Sequence, residues 1–262
     1  MTKAQRMGGL FSSRGKGRGG KLSAPWAPLL LLALLLLVPR QSAEAGGCVW
    51  NSTTVGEETV LEACVLAGDE VMLQDCLYDG YQGGAFNDGE HNIIKVEIGT
   101  YKGGFSHPNA VNETKWLKLI GGYEIGWGCD EDRRSADPSL TILSGDDGEG
   151  SRKQALALSA VNAHPGRDLY VEGFQLENGY GGSVSGCAGI QTFDGNIDFI
   201  GNIVKNCVSE GHSGGVHFYA EKDINLANNV IHGNTTGGQG GGVFIDSRAS
   251  GIVIRDALSD CA

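Results

Sequence analysis

The chain reads as an all-β protein, a single-stranded right-handed parallel β-helix (a solenoid) with a short N-terminal helical cap. Three observations carry that expectation. First, AGIQTF at Ala188 returns as GGVHFY at Gly214 and as GGVFID at Gly241, 26 and 27 residues apart. Second, IDFIGNIVKN from Ile197 returns as INLANNVIHGN from Ile224. A fixed period of this size marks stacked supersecondary units rather than one globular weave. Third, apolar residues within each copy alternate, which is the strand period, and no stretch of these copies holds a 3.6-residue period. With 43 glycines in 262 residues, a helical solenoid is excluded.

The amino terminus stands apart from that pattern. Seven basic residues (Lys3, Arg6, Arg14, Lys16, Arg18, Lys21, Arg40) surround an apolar run at 29–38, and Ala43-Glu44-Ala45 supplies a small-x-small cleavage pattern. Residues 1–45 therefore read as a secretory signal peptide. The apolar run is about half the ~20 residues that span a bilayer, so no transmembrane anchor is expected in the mature chain. Without residues 1–45 the protein holds 13 basic and 30 acidic residues, a net charge of −17. Like charge then repels nucleic acid and anionic membranes, and neither is expected as a partner. All seven cysteines (48, 64, 76, 129, 187, 207, 261) lie in the mature part, which favours disulfides in an exported chain. Their connectivity stays open, and one is left over. No CxxC pair points to thiol-redox or zinc-ribbon chemistry.

Residues 46–92 are expected to cap the first open strand edges. The helical candidates there are 57–64, after a capping-box Thr54-x-x-Glu57, and 73–77. The β-helix proper is expected over 93–262, incomplete at its C-terminal end. Its strands begin at Ile93 (IIKVEIG), Trp116 (WLKLIGG), Thr141 (TILSG), Ala155 (ALALSA) and Leu169 (LYVEGFQL). In the repeats, Ile190/Thr192, Val216/Phe218 and Val243/Ile245 fall on the inner face, and a second strand carries Ile197/Phe199, Ile224/Leu226 and Ile252/Ile254. A third short strand follows Asn202 and Asn229, giving three strands per coil. Gly189, Gly215 and Gly242 are assigned to corners whose backbone a Cβ would forbid. Asn202 and Asn229, 27 apart, are expected to stack as a structural ladder.

The succession LQDCL, IKVEIGTYKGGF, LKLIGGY, DPSLTILSGD, LYVEGFQLENG and the GG and NN repeats carries a family likeness. It resembles secreted right-handed β-helix repeat proteins of the pectate-lyase-like superfamily, including polymorphic-outer-membrane-protein-like surface proteins, over residues 70–250. The resemblance implies a secreted or cell-surface location, in a bacterium. It implies no single chemistry, because that superfamily holds lyases, hydrolases, epimerases and adhesins. A lyase would need Ca²⁺ held by clustered carboxylates and a basic residue as proton acceptor. The metal candidates are Asp130 and Asp132 in one polar loop and Asp146 and Asp147 in another, both also readable as solvated turns. Asp146-Asp147 and Gly211-His212-Ser213 match fragments of polygalacturonase motifs, while the Asn-Thr-Asp and Arg-Ile-Lys elements are absent. Catalytic residues stay unassigned.

One surface feature is expected to bind. Gln191, His217 and Phe244 form an outer column, with Phe193, Tyr219 and Asp246 two positions along. Aromatic rings beside polar groups suit sugar rings, which stack and hydrogen-bond at once. The expected function is thus an exported binding or structural module contacting polysaccharide or a cell-surface partner. The alternatives are a Ca²⁺-dependent polysaccharide lyase, less readily a glycoside hydrolase, or the N-terminal part of an autotransporter-like adhesin. Sequons at Asn51, Asn112 and Asn234 are of the kind that Asn/Thr-rich turns generate by chance.

Overall fold

Side chains that alternate in and out along a strand need something to close against, and here the chain closes against itself by coiling. The computed structural model describes residues 48–55, 58–78, 91–107, 116–160, 167–248 and 251–255, and the backbone of 258–260. The signal segment 1–45, the Asn112 sequon and Cys261 lie outside the described residues. All described residues belong to one unit, Ala45–Ala262.

The longest sheet runs β1 (Trp50–Val55), β2 (Glu58–Val65), β3 (His91–Glu97), β6 (Trp116–Tyr123), β9 (Asp168–Glu172), β13 (Ile197–Ile200), β17 (Ile224–Ala227) and β21 (Ile252–Arg255). A second sheet stacks β4 (Gly99–Lys102), β7 (Thr141–Ser144), β10 (Gln175–Glu177), β14 (Ile203–Lys205), β18 (Val230–His232) and β22 (Leu258–Asp260). The lateral sheet holds β5 (Phe105–His107), β8 (Leu156–Ala160), β12 (Ala188–Thr192), β16 (Val216–Ala220) and β20 (Val243–Ile245). A short fourth sheet joins β11 (Tyr180–Gly181), β15 (Val208–Ser209) and β19 (Thr235–Thr236). Every pairing is parallel except that of β1 with β2, so the fold is a parallel β-helix.

The later coils therefore carry four strands, not the three expected. The reason is a second bend. Gly173, Gly201 and Asn228 hold left-handed backbone (φ 78°, 61° and 56°) at the first corner. Asn178, Asn206 and Gly233 hold it again (φ 55°, 57° and 64°) five residues on. Asparagine tolerates that region where most residues do not.

The core is a set of columns. Ile94, Leu119, Val171, Phe199 and Leu226 pair rung on rung in the longest sheet, all essentially excluded from solvent. Leu158, Ile190 and Phe218 form the facing column of the lateral sheet. Phe199 and Phe218 meet edge to face at 5.4 Å and tie the two sheets together. At the first corner Asn202 and Asn229 are fully buried. Asn202 Oδ1 accepts from the Phe174 N–H at 3.0 Å, and Asn229 Oδ1 accepts from the Asn202 N–H at 3.0 Å. Their amide nitrogens donate to the carbonyls of Val171 and Phe199. Asn234 repeats this at the second corner, accepting from the Cys207 N–H and donating to Val204 O.

One helix, α1 (Glu70–Tyr78), closes the N-terminal end, burying Leu73, Cys76 and Leu77. Gln74 treats β5 as a strand would: its Oε1 accepts from Ser106 N–H and its Nε2 donates to Ser106 O. Glu70 accepts from Lys102 N–H on β4, so exposed strand edges are satisfied by side chains. The other helical candidate, 57–64, is corrected: residues 58–65 form β2. Leu61, Ala63 and Val65 are buried at every second position, and that alternation outweighs the capping-box signal.

Among the described residues three disulfides staple the coils: Cys48–Cys76, Cys64–Cys129 and Cys187–Cys207. The second pins the segment after β6 across the outer face of the longest sheet. Lys95 there pairs with Glu131 at 2.8 Å and Glu62 at 3.2 Å. Burial opposes its charge, yet the two carboxylates prevail and raise the Lys95 pKa above its ordinary value. The buried Glu97 carboxylate accepts from Ala67 N–H and Gly126 N–H, fixing two loops at once. Among the described residues no helix is long and apolar enough to cross a membrane.

Candidate binding face on the lateral sheet

The outer side of the lateral sheet is built by the residues that alternate with its buried column. Its register differs from the expectation by two residues. Gly189 pairs with His217 and Gln191 with Tyr219, whereas spacing by the glycines had set Gln191 beside His217. The faces are unchanged, because a two-residue slip preserves inward and outward sense. The cause lies in the bend before the strands. Ser185 bridges Ser213, so Gly186-Cys187 corresponds to Gly214-Gly215, and Gly189 is not a corner. The reason assigned to these glycines changes too. Gly189, Gly215 and Gly242 are absent from the left-handed positions. At Gly215 a Cβ would lie 2.2 Å from the Gly242 carbonyl oxygen, so close approach demands the glycine.

Two outer columns result. The first runs Ser106, Ala157, Gly189, His217 and Phe244; the second runs Ser159, Gln191 and Tyr219. Gln191 still reaches His217 diagonally, Nε2 to Nδ1 at 3.4 Å. Phe244 packs against two imidazoles, His212 stacked at 5.1 Å and His217 tilted at 5.4 Å. Phe193 and Tyr219 meet edge to face at 5.2 Å. The Asp246 N–H donates to Phe218 O, extending the ladder past β20 and leaving its carboxylate exposed. His217 is only 7 % exposed. Burial lowers its pKa; Asp246 opposes that shift and His212 reinforces it, leaving the ring neutral at pH 7. The face thus offers half-buried rings and an amide, with the neutral His217 imidazole nearly buried beneath them. His212 belongs to it, and sequence reasoning missed that because it sits in the bend rather than in the strand alternation.

The carboxylates of the two loops accept backbone N–H groups. Asp130 Oδ1 accepts from Asp132 N–H and caps the 3₁₀ turn Glu131–Arg133. Asp146 accepts from Gly148 N–H, and Asp147 from Glu149 and Ser151 N–H. Those bonds, Glu149's first, lower the Asp147 pKa. Among the described residues no three His, Cys, Asp or Glu are grouped to hold an ion. Lys222, an outward base, is paired with Asp194 at 3.1 Å.

A concavity of 200 Å³ opens on the longest sheet, where Trp116, Lys118, Tyr170, Asp168 and Asp198 converge. The Lys118 ammonium sits over Trp116 at 4.5 Å and Tyr170 at 5.2 Å, so this aromatic pair already holds a cation of its own. No protein-family model, curated protein or solved structure matches this chain. What the molecule can do rests on its own geometry.

Proposed function

We propose that this protein is an exported β-helix module of the cell surface or extracellular space that binds polysaccharide through the outer face of its lateral sheet. The observation that carries the reading is the grouping of Phe193, Tyr219, Phe244, Gln191 and His217, rings and hydrogen-bonding groups side by side on a rigid sheet. A rigid scaffold suits weak ligands because little ordering cost opposes binding. Three disulfides support an oxidising location. The basic, apolar and small-residue order of residues 1–45 supports export, and the motif order from LQDCL onward supports kinship with pectate-lyase-like and polymorphic-outer-membrane-protein-like bacterial surface proteins.

The test is retention of the secreted protein on a panel of insoluble neutral and acidic polysaccharides, with reducing ends and unsaturated products followed in the same tubes, with and without Ca²⁺. Retention that falls at least tenfold in Tyr219→Ala and Phe244→Ala, without turnover, supports the module. Turnover abolished by a chelator would replace this reading with a lyase.

A further inference from the structure

We propose that the hollow beside Gln191 is a subsite for one uncharged pyranose ring. It rests on the polysaccharide reading above and narrows its ligand. The hollow measures 270 Å³ and is lined by Gln154, Ser159, Ser183, Ser185, Gly189 and Gln191, among others. That lies just below the ~300–1,000 Å³ of sites for drug-sized ligands, which leaves room for a single sugar ring.

The two-residue register explains why a hollow exists here. Along the first outer column the lateral sheet carries His217 and Phe244 on β16 and β20, but only Ala157 and Gly189 on β8 and β12. The large side chains stop at β16, and the hollow opens over Ala157 and Gly189. Gly189 keeps that floor low: a Cβ there would lie 2.9 Å from Gln154 Nε2 and 3.2 Å from Ser185 Oγ, and would push those two side-chain ends out of their present places. Gln154 donates to Ser185 across one wall. Gln191, held by His217, forms the other.

The chemistry of the lining selects the ligand. Two amides and three hydroxyls offer donors and acceptors in roughly equal number, as sugar hydroxyls do. Among the described residues no Lys, Arg, Asp or Glu lines the hollow. A uronic acid would place a carboxylate there without a cation, inside a protein of strongly negative charge, which carries a desolvation cost with nothing to offset it. Tyr219 stands one strand up from Gln191 and offers its half-buried ring to the next sugar along the chain.

The experiment titrates the secreted protein with methyl glycosides of glucose, galactose, mannose, N-acetylglucosamine and galacturonic acid, read by ligand-observed NMR. The same proteins are tested on neutral polysaccharide. A neutral glycoside is expected to bind, to weaken at least tenfold in Gly189→Ala and in Gln154→Ala, and to exceed the galacturonide at least tenfold. Circular dichroism checks folding, and Gln154→Ala decides if Gly189→Ala does not fold. Equal binding by wild type and folded variants overturns the subsite, as does an equally bound galacturonide. Polysaccharide held through Tyr219 with no glycoside bound overturns the subsite alone; no carbohydrate bound at all overturns both readings.

Discussion

Asn202 shows how much one side chain carries in a coil of this kind. Its amide serves Phe174 N–H and Val171 O, and its backbone N–H is served by Asn229. Alanine there leaves the buried Phe174 N–H without its partner and takes one bond from Val171 O, and an unmet buried group costs about 1–3 kcal/mol. Asn202→Ala is expected to lose about 2–4 kcal/mol in urea denaturation. Asn202→Ala combined with Asn229→Ala should cost less than the sum of the two, because they share a bond. Gly201 sits with left-handed backbone and open space around the position of a Cβ, and Asn228 fills the equivalent place one coil on. Gly201→Asn should therefore hold its melting temperature within a few degrees, while Gly215→Ala should aggregate or melt early. His217 adds a pH dependence. Its pKa is lowered in the folded state, so the unfolded chain binds the proton first as pH falls. Stability is thus level above about 6.5, the ordinary histidine value, and declines below it. The denaturation midpoint of wild type should drop on acidification more steeply than that of His217→Gln.

The elements were legible where period and chemistry coincide. The Asn202/Asn229 ladder and the inward columns declare themselves by equal spacing and identical residues. The second ladder did not, because its positions are filled by Gly179, Cys207 and Asn234, three residue types with no common signature. Asn234 read only as part of a sequon; in the fold its amide is 1 % exposed and bonded inside the coil. Glycines misled the register because SGC at Ser185 and SGG at Ser213 are the true equivalents, and a cysteine occupies a glycine's place. That cysteine bonds to Cys207 across a 20-residue separation, so removing the pair with Cys187→Ala and Cys207→Ala should cost about 3 kcal/mol of stability. Non-reducing and reducing melts compared with that double variant would separate this bridge from the other two. The candidate face was legible as a set of residues but not as a shape: the hollow depends on which rung opposes Gly189, and only the register decides that.

At the scale of the whole molecule the disulfides are unevenly placed. Two of the three tie together the residues just before β1, β2, α1 and the segment after β6, at one end of the stack. The third lies midway, and the coils built on β16 to β21 are held by hydrogen bonds and packing alone among the described residues. Tension along the axis therefore finds its weak link at that second end. Successive coils repeat every 27 or 28 residues there, and a released coil lengthens the chain by roughly 90 Å at ~3.3–3.6 Å per residue. Pulled in an optical trap under oxidising conditions, the protein should yield in sawtooth steps of that size before the stapled end gives way, and reduction should erase the difference between the ends. A module fixed by its stapled end would then act as a shock absorber, paying out slack under flow and rewinding when the load is removed.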